Sequence, residues 1–338
     1  MLCCDALSGS RSHGHSRWHC REAPDRTRFT RPEAQRECGH VAHAQAASQA
    51  AGRRCLCEPQ GRDADGVYRP RPVRPGTSDA QVDAWLKGHP GDKRDDFEDE
   101  QPQCRVNLPG YWIGRTEVTN AQYRRFVRAT GHRAPEHWEG GQVPAGLEDF
   151  PVVYVTWEDA RAYCEWAGGH LPTELQWEKA ARGTDGRVFP WGNQWDSKRC
   201  RNFELIAGRG YVSGEGRAGA FGAWLASWAW QAWVASHDTV REGPAAVGSY
   251  PAGRSPFGCA DMAGNLDEWC ADWYDAKAYQ RYAKGDLTSP RTGESRVLRG
   301  GSWDMPDPWD FRCAYGGRIV PDACSGVAGF RCAHAGRP

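Results

Sequence analysis

The sequence predicts an α+β domain rich in loops, built from short helices and short antiparallel strands. Three observations carry that prediction. Three stretches each open on a Thr, carry Gln or Asp three residues on, and run to a Gly. Strand-like pieces such as VNLPGYWIGRTEVT (106–119) and RVLRGGSW (296–303) are brief and lie among Gly, Pro and Asn. Of the 17 Trp, all but Trp18 and Trp85 lie between Trp112 and Trp309, which concentrates the apolar material in the second part of the chain.

The helices follow from local chemistry. Thr119 with Gln122, Thr156 with Asp159, and Thr173 with Gln176 each have the spacing of a capping box, in which the Thr hydroxyl accepts from an orphan amide and the third side chain reaches back. Gly131, Gly168 and Gly183 supply the left-handed stop. Tyr123, Phe126 and Val127 share a face of the first helix, and Ala160, Tyr163, Cys164 and Ala167 a face of the second. Helices this short need a packed partner layer to be stable.

Upstream, the chain reads differently. Residues 1–75 hold no Lys, many Arg, Ala, Gly and Pro, and no helical or strand period, so residues 1–90 are expected to form a disordered arm. Cys38, His40, His43, Cys55 and Cys57 match no standard metal spacing. RPRPVRP (69–75) suggests a polyproline II linker, and DKRDDFEDE within 91–103 an acidic solvated linker before a domain at 104–335. Residues 218–236 are uncharged and Trp-rich. A membrane span there would split one domain across two compartments, so an insertion packed on the domain or on a partner is expected instead.

Lys+Arg and Asp+Glu balance at 43 each, which argues against nucleic acid as a partner. The 14 Cys contain no CxxC, and the N-terminus carries no apolar signal core, so a cytoplasmic location with reduced thiols is the expectation. A protein, peptide or small-molecule ligand remains, with the oligomeric state open.

The ordered set YWIGRTEVTNAQYRRFV, FPVVYVTWEDARAYCEWAGGHLPTELQWEKAARG, FPWGN, VGSYPAGRSPFGCADMAGNLDEWCADWY, RVLRGGSW and GFRCA resembles the formylglycine-generating (sulfatase-modifying factor) family. The resemblance implies a variant of the C-type lectin fold. In the oxidases of that family, two Cys after GGS bind copper(I). Here the first position falls on Met305 and the second on Asp310, or on Pro308 if Arg312-Cys313 anchors the alignment. A thioether and a carboxylate make a poor pair for copper(I), so copper is not expected. The resemblance also implies structural calcium at Asn265 and Glu268 with the carbonyls of Leu266 and Asp267, and at a second site with Asn202 and Phe203. Cys164 and Cys332 match a family pair that can form a disulfide, or they are two buried thiols.

Four readings compete. One is a protein- or metabolite-modifying or maturation factor without Cys-ligated copper, with Ser302, Trp303, Met305 and Asp310 as candidate catalytic residues. A second is an active formylglycine-generating oxidase. Another is a lectin-like display protein of the retroelement-diversified type, binding through Trp303, Asp304, Asp307, Trp309, Tyr315 and Arg318 on a surface between Ser302 and Gly329. The last is a partner-recruiting domain tethered by the arm.

Overall fold

The structure, a computed structural model, describes residues 54–56, 72–207 and 243–335. Most of the expected arm, including Cys38, His40, His43 and Cys57, and the uncharged stretch 218–236 lie outside the described residues.

The expected α+β architecture is present. Strands β1 (Arg54–Leu56), β2 (Tyr111–Gly114) and β7 (Ala333–Ala335) form an antiparallel sheet with β2 in the middle. A second sheet has the order β5 (Gly316–Ile319), β4 (Arg296–Arg299), β3 (Asp267–Trp273), β6 (Ala328–Gly329). Its long pairings are antiparallel, while the short β6 runs parallel to β3, a departure from the all-antiparallel expectation.

Helices α2 (Asn120–Thr130), α3 (Trp157–Trp166) and α4 (Glu174–Arg182) begin after Thr119, Thr156 and Thr173, each with both hydrogen bonds of the capping box. Gly131 closes α2 in the left-handed region (φ +72°). The first two helices bury the faces read from the sequence. Tyr123 and Tyr163 stack at 5.7 Å, Phe126 meets Tyr163 edge-on, and Phe330 packs beside both. Val152, Val155, Trp157, Leu171 and Trp269 complete this core.

The stretch expected to be arm and acidic linker is instead built into the domain from residue 72 onward. Helix α1 (Asp79–Gly88) opens with a capping box of Ser78 and Gln81, and a 3-10 turn follows at Arg94–Glu100. Val82 and Phe97 are buried against Trp309, and Val73 bridges to Val106. The composition of this stretch is polar, but its few apolar residues sit where α1 and the turn share one face, and that burial offsets the ordering cost. Two further short helices, α5 (Phe203–Ala207) and α6 (Ala278–Tyr282), flank the second sheet's loops.

Charged side chains do much of the bracing that longer elements do elsewhere. Arg331 grips Glu268 at 2.6 Å. Arg299 lies 3.2 Å from Glu178 and donates to the carbonyls of Ala314 and Cys313. Arg182 meets Glu178 at 2.5 Å, and Arg312 holds both oxygens of Glu100 at 2.6 and 2.7 Å. All of these groups are buried. Three of these pairs join segments far apart in sequence, while Arg182–Glu178 lies within α4 and Arg182 ties the helix to loops through the Gly76, Gly186 and Arg187 carbonyls.

Candidate functional site

Strand β4 ends in Gly300 and Gly301, both at positive φ (+104° and +70°). A Cβ on Gly301 would stand 2.8 Å from the Asp310 carbonyl oxygen, so only glycine lets this turn touch the segment around Asp310. The turn buries Ser302, whose hydroxyl donates to Asp304 Oδ1 at 2.5 Å. Gly301 N donates to Asp267 Oδ1 at 3.2 Å from the start of β3. Burial pushes the Asp267 carboxyl up to about 8, and the charges of Asp304 and Asp310 push the same way. Asp304 is raised as well, by burial, with the Ser302 hydrogen bond opposing. The turn thus brings Ser302, Asp267, Asp304 and Asp310 into one acidic cluster.

The loops named as metal sites meet at this same turn. Trp303 N donates to the Asn265 carbonyl, and Phe203 N donates to the Met305 carbonyl. Arg201 Nε reaches the Gly243 carbonyl at 2.9 Å, and Ala245 N donates to Asn265 Oδ1 at 2.7 Å.

The donor atoms themselves are committed to the protein. Glu268 accepts from Arg331 on both oxygens at 2.6 Å and from Trp177 Nε1 at 2.9 Å. Asn265 donates to Glu117 Oε1 at 2.8 Å. Asn202 caps α5, its oxygen accepting from Leu205 N and its amide donating to Ser197 and Cys200 carbonyls. Calcium on Asn265 and Glu268 would have to displace the Arg331 guanidinium, so these residues do not fit that ion. Among the described residues no group of three His, Cys, Asp or Glu is placed to hold a metal.

Three residues the sequence reading missed complete this region: Glu117, Asp261 and Arg331. All are buried. Glu117 sits well above the ordinary carboxylate range because of burial, then the charges of Asp261 and Glu268. Their signal lay in the motifs, as charged letters inside RTEVT, DMAGN and GFRCA, where the surrounding residues are buried.

The remaining candidates divide. Met305 packs with Phe189, Cys200, Ala263 and Phe311, so its thioether sits among apolar side chains. Asp307 caps the 3-10 turn Pro308–Phe311 through Trp309 N. Trp303 and Trp309 are 2 % and 0 % exposed, so they are core residues and not the aromatic anchors of a display surface. Tyr315 leans on Trp309, and Arg318, paired with Val297 in the sheet, stacks over Tyr274 at 4.2 Å. Cys164 and Cys332 are buried and meet Sγ to Sγ at 2.8 Å.

Residues 74–335 match the sulfatase-modifying factor enzyme 1-like domain. The chain belongs to the sulfatase-modifying factor family. A formylglycine-generating enzyme of Streptomyces coelicolor is 34% identical over 318 residues, covering 79% of this chain and 91% of that protein. A hercynine oxygenase of Mycolicibacterium smegmatis is 31% identical over 258 residues, covering 66% of this chain and 51% of that relative. The solved Treponema denticola variable protein 1 superposes with a TM-score of 0.52 at 20% identity, covering 78% of this chain and 92% of that one, a likeness of fold. Among the described residues no helix is long and apolar enough to cross a membrane.

Proposed function

We propose that this member of the family is a protein- or metabolite-modifying or maturation factor that works at the Ser302 turn without thiol-ligated copper(I), and that the group it receives there is positively charged. One observation carries the reading. Around the Gly301-Ser302 turn, where the resemblance puts the copper thiols, Asp304 accepts from Ser302, Asp267 accepts from Gly301 N, and the charges of Asp304 and Asp310 act on Asp267. The chemistry of the donors supports it, since Met305 and Asp310 offer one soft and one hard ligand to a metal that favours thiolates. A carboxyl pushed up to about 8 by burial and further by neighbouring negative charge gains from a cation, which favours the ionised form of the clustered acids.

Calorimetric titration with alkylguanidinium, quaternary ammonium and Lys-containing peptides, each against a neutral isostere, tests this. Cations are expected to bind with release of about one proton per site near pH 7, because binding draws the Asp267 pKa downward. Equal affinity for charged and neutral ligands would remove the reading. Oxygen-dependent turnover of a Cys-containing peptide with copper(I) would overturn the copper-free part of it.

A further inference from the structure

The part of the chain before residue 104 contains a buried acid that the site reading does not use. Glu100 ends the 3-10 turn Arg94–Glu100 and is 2 % exposed. Its carboxylate takes the Arg312 guanidinium in a two-toothed grip, and the Thr77 hydroxyl donates to it at 2.8 Å. Thr77 N also donates to the Glu100 carbonyl. The strap formed by residues 72–103 is fixed in turn to α4. Arg182 donates to the Gly76 carbonyl at 2.7 Å and to that of Arg74 at 3.1 Å, and Gly76 N donates to Glu178 at 2.9 Å.

On the other side of the pair, Arg312 is part of the site segment. Its Nε donates to the Trp309 carbonyl at 3.2 Å, and its guanidinium covers the Trp309 ring at 3.9 Å. Trp85 and Phe97 of the strap close on the same ring at 5.6 and 4.4 Å. The next residue after Trp309 is Asp310, whose carbonyl lies hard against Gly301. Between the Ser302 turn and the Cys313 N to Val188 O bond, the segment belongs to no strand. On the strap side its 3-10 turn is held by Arg312 and Trp309, while Phe311 anchors the opposite side against Trp195 at 5.0 Å.

We propose that Glu100 is a positioning residue for the acidic cluster, acting through Arg312 to fix Trp309 and hence Asp310 against Gly301. The strap is accordingly a working part of the site and not a tether. The inference rests on the reading of the Ser302 turn as the site. A buried charge pair with added hydrogen bonds loses strongly when one partner is neutralised, because the other is left uncompensated. That loss falls here on the segment carrying Asp310.

Glu100→Gln in the full chain tests it. Hydrogen exchange of residues 304–312 is expected to quicken at least tenfold, while amides of β3 and β4 keep their wild-type rates. With 5-fluorotryptophan, the fluorine resonance of Trp309, assigned by its loss in Trp309→Phe, should shift and broaden. Glu100→Asp, which keeps the charge, should restore part of both. Arg312→Lys keeps a charge but not the fork, and gives the same readings should Glu100→Gln not fold. Unchanged exchange at 304–312 in a folded variant would overturn the proposal, as would an equal quickening across β3 and β4. Cation binding by the wild type is a separate measurement. Its absence would remove the ligand reading while leaving the exchange result to decide the strap.

Discussion

Replacing Arg331 by Met gives the sharpest energetic test of how this domain is held. Arg331 is fully buried and makes four hydrogen bonds: to the two oxygens of Glu268 at 2.6 Å, and to the Gly114 and Ala260 carbonyls at 3.0 Å. Methionine fills much of the volume but donates nothing. Glu268 would keep the Trp177 indole as its donor, and two buried carbonyls would lose theirs. Removing one partner of a buried pair costs about 3–5 kcal/mol, a large share of the stability of a natural domain. Urea unfolding should show a lowered midpoint at unchanged slope. Glu268→Gln on top of Arg331→Met should recover most of the loss. A deficit below about 1 kcal/mol at pH 7, well short of the usual cost of a broken buried pair, would refute the assignment of Glu268 to Arg331.

Two other changes probe the same region. Gly264→Ala places a Cβ 2.2 Å from the Arg201 carbonyl at φ +72°, so strain and overpacking together should cost about 2–4 kcal/mol by calorimetric melting. A neutral outcome would mean the 201–265 contact is not held in solution. Adding a chelator, or millimolar calcium, is expected to leave the melting temperature where it is, because the Asn265 and Glu268 donors are already taken. A rise of several degrees with calcium would put an ion back in that loop.

Much of the scaffold was legible because its signals are local. A Thr, a side chain three residues on and a Gly define α2, α3 and α4 with no reference to the rest of the chain. The same grammar was present at Ser78 and Gln81, and α1 follows it. It was masked by the Arg-, Pro- and Ala-rich composition of the stretch, which speaks to average burial and not to where Val82, Trp85 and Phe97 fall on one face. The site was legible only as an address. RVLRGGSW located the turn, but which acids surround Ser302 depends on β3 lying beside β4, a contact between segments that no local pattern encodes. The buried pairs were illegible for the same reason. Glu100 and Arg312 are ordinary surface letters until the strap brings them together. Trp303 and Trp309 misled in the opposite sense, since aromatic density reads equally well as a binding surface or as core.

The bond between Arg201 and Gly243 has a consequence for how this chain can change. It draws together the two points where the described chain leaves after α5 and returns ahead of Asn265. Asn265 N in turn donates to the Arg201 carbonyl, so Arg201 ties residues 243 and 265 to the start of α5. A substitution at Arg201 that removes the guanidinium would therefore loosen three points far apart along the chain at once.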